Sequence, residues 1–91
     1  VRRAVLSVAG VNEKGYYNSN LLLVETERAM MNAADTVIVV ADSTKFGQSS
    51  LARLSGLGEI DTMVVDNEVT PGWQERIRGS GVDVIVASGK E

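Results

Sequence analysis

An uninterrupted run of four β-branched residues, VIVV at positions 37–40, constrains the fold of this chain most strongly. Continuous β-branched residues are typical of a strand that is covered on both faces, as in a parallel sheet flanked by helices. The run ends abruptly at Asp42, and an acid, two hydroxyl groups, a lysine and a glycine follow within the stretch 36–47. We therefore predict a buried central strand that leads into a polar loop.

The polar loop is the first candidate site. Ligands of open parallel sheets bind beyond the carboxyl ends of the strands, so residues 42–45 stand where such a fold places its chemistry. Lys45 adds a cation with three donors, which suits a phosphate or a sugar hydroxyl. A simpler explanation is also open, because Asp42 and Ser43 could cap the next segment and Lys45 could be an ordinary surface lysine.

Composition excludes several functional classes. The chain has no cysteine and no histidine, which removes disulfides, thiolate or imidazole metal sites and any Ser-His-Asp or Cys-His arrangement. Its net charge of −3 argues against direct binding to nucleic acid, since such modules normally show a clustered basic face. No G-x-G-x-x-G, Walker loop or helix-turn-helix signature is present, and we predict neither a cofactor nor a metal ion.

At 91 residues the chain is one domain at most and lies near the lower size limit for a self-sufficient core. No apolar run approaches the roughly 20 residues that span a bilayer, and no charged-then-apolar leader opens the chain, so we expect a soluble, cytoplasmic protein without membrane contact. The apolar pattern of Val5, Leu6 and Val8 begins almost at once, without an initiator methionine. This predicts a fragment of a longer protein, and a homo-oligomer is a further way for so short a chain to bury apolar surface.

The remaining periodicity predicts an α/β fold. Strands are expected at 3–9, 61–66 and 82–87 besides the central one, with helices at 21–34, 48–57 and 71–78 between them. The resulting order, β-α-β-α-β-α-β, predicts a parallel sheet with right-handed crossover helices. The glycine- and asparagine-rich segment 10–20 is predicted to be a loop. Helical spacing predicts that the first helix buries one stripe against the sheet, namely Leu22, Thr26, Ala29, Met30 and Ala33.

The only two tyrosines, Tyr16 and Tyr17, fall within the predicted loop. At the carboxyl end of a strand they could stack on a sugar, but aromatic side chains more often serve packing. We therefore expect them to shield the loop.

The ordered set of motifs resembles the carboxyl-terminal sensor domain of the DeoR family of bacterial transcriptional regulators. The motifs are Gly10, Gly15, the ERAM stretch at 27–30, ADSTKFG at 41–47, IDTMVVD at 60–66 and GVDVIVA at 81–87. The likeness covers nearly the whole chain. Its most specific part is D-S-x-K-F-G followed by a strand bounded by aspartates, since each piece is common alone but rare in this order.

The resemblance implies a sugar-phosphate effector site on a fold shared with ribose-5-phosphate isomerase and glucosamine-6-phosphate deaminase, of which this chain would be half. It implies that DNA is bound through an N-terminal winged helix-turn-helix domain that this chain lacks. By position, the resemblance also implies that six residues bind a phosphorylated sugar or a related small anion. These are Asp42, Ser43, Lys45, Gly10, Gly15 and Asp66.

An enzymatic function is the main alternative. The related isomerases place catalytic acids after the first strand, where this chain has only Leu6, Ala9 and Gly10, and Glu27 matches one of their carboxylates by position. Isomerisation of a sugar phosphate needs both a base and an acid within hydrogen-bond reach, and one glutamate does not supply both. We therefore expect a binding module with no catalytic residue; an oligomerisation domain without a ligand is the third interpretation.

Overall fold

The computed structural model describes residues 2–87. Within this range the chain forms seven strands and two helices. In order these are β1 (Arg3–Ser7), β2 (Gly10–Asn12), β3 (Gly15–Asn18), α1 (Leu21–Ala33), β4 (Thr36–Ala41), β5 (Ala52–Ser55), β6 (Thr62–Asp66), α2 (Pro71–Gly79) and β7 (Asp83–Ala87). Single 3₁₀ turns lie at Ser43–Lys45 and Leu57–Glu59.

A four-stranded parallel sheet of order β1-β4-β6-β7 forms the centre of the molecule. The central strand is β4, as the β-branched run predicts, and it pairs with β1 from Arg3↔Thr36 to Ser7↔Val40. The parallel α/β architecture predicted from the sequence is thus confirmed. All four strands end at the same edge of the sheet, which brings the loop after β4 next to the ends of β1 and β6.

The two faces of this sheet differ in burial. One face is covered, and its side chains include Leu6, Val39 and Met63, none more than 4 % exposed. The strands of this sheet follow one another across it in chain order, from β1 to β7. Because the connections between parallel strands are right-handed, α1 and α2 lie on this same face. On the opposite face Val5 and Ile85 are more than half exposed. The β-branched run predicts burial on both faces, yet within residues 2–87 the structure covers one.

A second, antiparallel sheet of order β2-β3-β5 corrects two predictions. The predicted loop 10–20 contains the β2-β3 hairpin, and the predicted helix at 48–57 is instead strand β5 with the 3₁₀ turn after it. In β5 Ala52 and Leu54 are buried while Arg53 between them is exposed, a period of two that is typical of a strand. The fully buried Tyr16 donates its hydroxyl to the Leu57 carbonyl oxygen at 2.9 Å, which confirms a packing role for this tyrosine.

Helix α1 has the predicted bounds to within one residue, but the predicted buried stripe is wrong. Leu22 is 71 % exposed and Met30 43 %, whereas Val24 and Glu27 are buried. A stripe offset from the predicted one therefore faces the protein, and it contains the carboxyl group of Glu27. Asn20 caps the helix as predicted, its side-chain oxygen accepting from the Leu23 amide at 3.1 Å.

Helix α2 begins at Pro71, as predicted, behind Thr70, whose hydroxyl accepts from the Trp73 amide. No helix in residues 2–87 has the length and apolar character needed to cross a membrane.

Candidate functional site

A pocket of about 330 Å³ opens at the carboxyl edge of the parallel sheet. Strands β1, β4, β6 and β7 and the turn after β4 all contribute to its walls. The lining residues are Ser7, Val8, Val40, Ala41, Asp42, Lys45, Val64, Val65, Asp66 and Ala87. Three of the six residues that the sequence assigns to ligand binding, Asp42, Lys45 and Asp66, therefore come together in one pocket.

Asp42 shapes the turn after β4. One of its carboxylate oxygens accepts from the Thr44 amide at 3.0 Å and from the Thr44 hydroxyl at 2.5 Å. The hydrogen bond from the Thr44 hydroxyl lowers the pKa of Asp42 below its usual value, with a smaller contribution from the nearby Lys45 ammonium group. Asp42 thus caps the 3₁₀ turn, as the simpler explanation expects, and also lines the pocket.

Asp66 ties the turn to the end of β6. Its Oδ2 accepts from the Ser43 amide at 3.2 Å, and its Oδ1 accepts from the Glu68 amide at 3.1 Å. The carboxylate is half-buried and joins two loops that follow neighbouring strands. Ser43 contributes to this site through its backbone and is not among the described residues that line the pocket.

Lys45 is the only lysine or arginine among the described residues that line the pocket. Its amide donates to the Asp42 carbonyl oxygen at 3.1 Å, which closes the 3₁₀ turn and sets the direction in which the side chain leaves the backbone. The residues after it are anchored to the hairpin, because the Gly47 amide donates to the Val11 carbonyl oxygen at 2.7 Å. The Phe46 ring lies 5.5 Å from the ring of Trp73 on α2. Lys45 is thus presented by a turn that is held on both sides.

The end of β1 also lines the pocket, and there sequence reasoning finds no functional residue. Ser7 brings a hydroxyl group to the pocket, on the uncovered face and in register with Val40. The signal was available in principle, since Ser7 and Val40 both lie near the carboxyl ends of apolar strands predicted to lie in one parallel sheet. The neighbour relation between β1 and β4 is what the sequence alone leaves open.

Gly10 and Gly15 lie in the hairpin and do not line this pocket. A Cβ atom on Gly10 would approach the Gln48 carbonyl oxygen to 2.7 Å, and one on Gly15 would clash with the Ser55 carbonyl oxygen. Close backbone approach therefore explains both glycines. Their ligand-binding role stays a prediction.

The pocket combines one cation, two carboxylates and a hydroxyl group with an apolar floor. A cation and hydroxyl donors suit an anionic group, and carboxylate acceptors suit the hydroxyl groups of a polyol. Among residues 2–87 no group of three or more acidic side chains is arranged to hold a metal ion. The pocket is thus suited to a small polar anion that carries hydroxyl groups.

Comparison with known proteins identifies the family of this chain. Residues 1–67 match the family model described as the DeoR C terminal sensor domain. The chain is 35 % identical over 74 residues to a protein of Escherichia coli O157:H7 that is named as a repressor of the aga operon, covering 81 % of this chain and 28 % of that protein. It is 28 % identical over all 91 residues to the HTH-type transcriptional repressor GlcR of Bacillus subtilis, 35 % of whose length is covered.

A third relative is the L-fucose operon activator of Haemophilus influenzae, which is 32 % identical over 73 residues, or 79 % of this chain and 29 % of that protein. The chain thus spans about a third of the length of these curated relatives, all of which are named as transcriptional regulators. The match to the family model covers most of the chain, including the turn that presents Lys45. This chain belongs to the DeoR C-terminal sensor domain family.

Proposed function

We propose that this chain binds a phosphorylated sugar, or a related small anion, as the effector of a bacterial DeoR-type transcriptional regulator. The observation that carries the proposal is the convergence of Asp42, Lys45 and Asp66 on one pocket at the carboxyl edge of a parallel sheet. Ligands of this fold class bind at that edge. A sensor domain needs a ligand site, and this pocket has both the position and the chemistry for one.

Each polar group has a distinct role in this proposal. Lys45 donates charge-assisted hydrogen bonds to the phosphate or to a sugar hydroxyl. Asp42 and Asp66 act mainly by stabilising the loops around the pocket, because both carboxylates already accept hydrogen bonds from backbone amides of these loops. The Ser7 hydroxyl contacts the ligand from the end of β1.

The wider context is part of the same proposal. The chain would be the second half of a sensor domain similar to ribose-5-phosphate isomerase and glucosamine-6-phosphate deaminase, in a longer, homo-oligomeric and cytoplasmic regulator. DNA would be bound by a separate winged helix-turn-helix domain, since this chain carries a net charge of −3. Relatives include both repressors and an activator, and we propose repression for this protein, as named for two of the three.

The geometry of Glu27 favours binding over catalysis. This glutamate matches a carboxylate of the related isomerases by position, but it is only 7 % exposed and its Oε1 accepts from the Asn18 side chain. Among the described residues it does not line the pocket that contains Lys45. A base must reach the proton that it abstracts, so this arrangement supports a binding module.

The test is calorimetric titration of the full-length protein with a panel of sugar phosphates and the corresponding free sugars. We expect at least one phosphorylated sugar to bind and Lys45→Ala to weaken that binding ten- to a hundredfold, since loss of a charge-assisted contact costs about 1.5–3 kcal/mol. Lys14→Ala is the matched control, because Lys14 is exposed in the hairpin turn and lies outside the pocket.

Two results would contradict the role of Lys45, and two more would contradict the proposed function. If Lys45→Ala binds the preferred ligand as tightly as the wild type, Lys45 has no specific role. Equal weakening by both lysine substitutions would indicate a general charge effect. Turnover of a bound sugar phosphate would favour the isomerase or deaminase alternative, and failure of every ligand to bind would favour a domain that serves only oligomerisation.

A further inference from the structure

Asn18 and Glu27 form a buried polar pair between the hairpin and α1. Asn18, the last residue of β3, is 5 % exposed, and Glu27, in the second turn of α1, is 7 % exposed. The Asn18 Nδ2 donates to the Glu27 Oε1 at 2.5 Å. Burying a carboxyl group is costly unless it is hydrogen-bonded, so this pair needs a reason beyond filling space.

The Asn18 side chain also holds the end of β1. Its Oδ1 accepts from the Ala9 amide at 3.0 Å, and its Nδ2 donates to the Ser7 carbonyl oxygen at 3.3 Å. Ser7 and Val8 form the β1 wall of the effector pocket that Lys45 also lines. The Asn18 side chain thus spans the backbone of that wall from Ser7 to Ala9.

Glu27 is one of three partners that fix which way the Asn18 amide points. The Ser7 carbonyl oxygen accepts only, an ionised Glu27 carboxylate accepts only, and the Ala9 amide donates only. Only one orientation of Asn18 satisfies all three partners, with its NH₂ group toward Ser7 and Glu27 and its oxygen toward Ala9. Without the Glu27 oxygen, one of these three partners is gone, and a buried N–H group of Asn18 loses its acceptor.

We propose that Glu27 is a positioning residue for the effector pocket, acting through Asn18 to hold the Ser7–Ala9 backbone at the β1 wall of this pocket. The inference rests on the proposed function of that pocket. It gives the buried carboxylate a role in ligand affinity although Glu27 itself does not touch the ligand.

The test compares three variants of the full-length protein in the sugar-phosphate titration and in amide hydrogen exchange without ligand. Glu27→Ala removes the acceptor, Glu27→Gln keeps an oxygen for Asn18, and Glu25→Ala removes an exposed carboxylate from the same helix. We expect Glu27→Ala to weaken binding about tenfold and to speed exchange at Ala9 but not at Met63 in the sheet centre. Glu27→Gln should restore affinity to within about twofold of the wild type, and Glu25→Ala should change neither measurement.

The two readouts separate this inference from the proposed function. If the wild type binds and Lys45→Ala weakens binding while Glu27→Ala does not, the positioning role is wrong and the effector site stands. If no sugar phosphate binds the wild type, the proposed function fails, and unchanged exchange at Ala9 in Glu27→Ala would overturn the positioning role independently. Should Glu27→Ala fail to fold, Glu27→Asp, which withdraws the carboxylate by one methylene, replaces it with the same expected results.

Discussion

At the scale of single residues, two carboxyl groups are perturbed in opposite directions. Burial raises the pKa of Glu27 above its usual value of 4.5, although the Asn18 hydrogen bond acts the other way. The Thr44 hydrogen bond lowers the pKa of the exposed Asp42. The partner of Asp42 lies two residues away in sequence, whereas the raised pKa of Glu27 depends on burial that only the fold provides.

The raised pKa of Glu27 predicts a specific pH dependence of stability. The folded protein holds this proton more tightly than the unfolded chain, so the contribution is fully present below pH 4.5 and is lost as pH rises through the folded pKa. Glu27→Gln, which cannot ionise, should therefore gain stability relative to the wild type between pH 4 and pH 7. Urea unfolding of both proteins across this range measures the difference. Glu25→Gln, the same substitution at an exposed position of the same helix, is the matched control. Parallel curves for wild type and Glu27→Gln would contradict the prediction.

At the scale of elements, the β2-β3 hairpin connects the two sheets to the site. The hairpin pairs with β5 through β3. Its Tyr17 carbonyl oxygen accepts a hydrogen bond from the Ala9 amide at 2.8 Å, and its Val11 carbonyl oxygen accepts one from the Gly47 amide in the segment after Lys45. Gly15 allows this arrangement, because its φ of 138° is a conformation that other residues rarely adopt and its α-carbon lies against the backbone of Ser55. The hairpin is therefore a support for both walls of the pocket.

Substitution of Gly15 should show this dependence. Gly15→Ala combines an unfavourable φ with a backbone clash, and we expect a loss of about 2 kcal/mol in the free energy of unfolding. Gly72→Ala is the matched control, since a Cβ atom there meets nothing within 4 Å and alanine favours the helix, so we expect a gain of about 0.5–1 kcal/mol. Urea unfolding monitored by circular dichroism measures both, and a Gly15→Ala protein as stable as the wild type would show that the hairpin tolerates a different backbone.

At the scale of the whole molecule, one face of the parallel sheet leaves apolar side chains exposed. Its apolar side chains are adjacent across the strands, with Val5 paired to Ile38 and Val64 paired to both Val40 and Ile85. Val5, Val40 and Ile85 are 60 %, 41 % and 53 % exposed. Contiguous apolar surface of this kind promotes association, and an open edge strand adds to the tendency.

We therefore predict that the isolated 91-residue chain self-associates or is only marginally folded. Sedimentation velocity and circular dichroism over a range of concentrations test this. Val5→Lys should shift the chain toward the monomer, whereas Leu51→Lys, which changes an 88 % exposed side chain outside this face, should have little effect. A compact, cooperatively folding monomer at every concentration would count against the prediction.

Local sequence determined the features that depend on neighbours along the chain. The β-branched run, the Asn20 cap and Pro71 specify the central strand and both helices because they restrict the backbone within a few residues. The same local logic placed Asp42 and Lys45 at a strand end. Tertiary structure alone decided the rest. The buried stripe of α1 follows from where β3 and β5 pack against it. Residues 52–55 form strand β5 because the hairpin strand β3 pairs with them. Glu27 is buried where the Asn18 side chain donates a hydrogen bond to it. Each of these outcomes depends on a contact with residues elsewhere in the chain, and the residues next to one another in sequence do not reveal which contact is made.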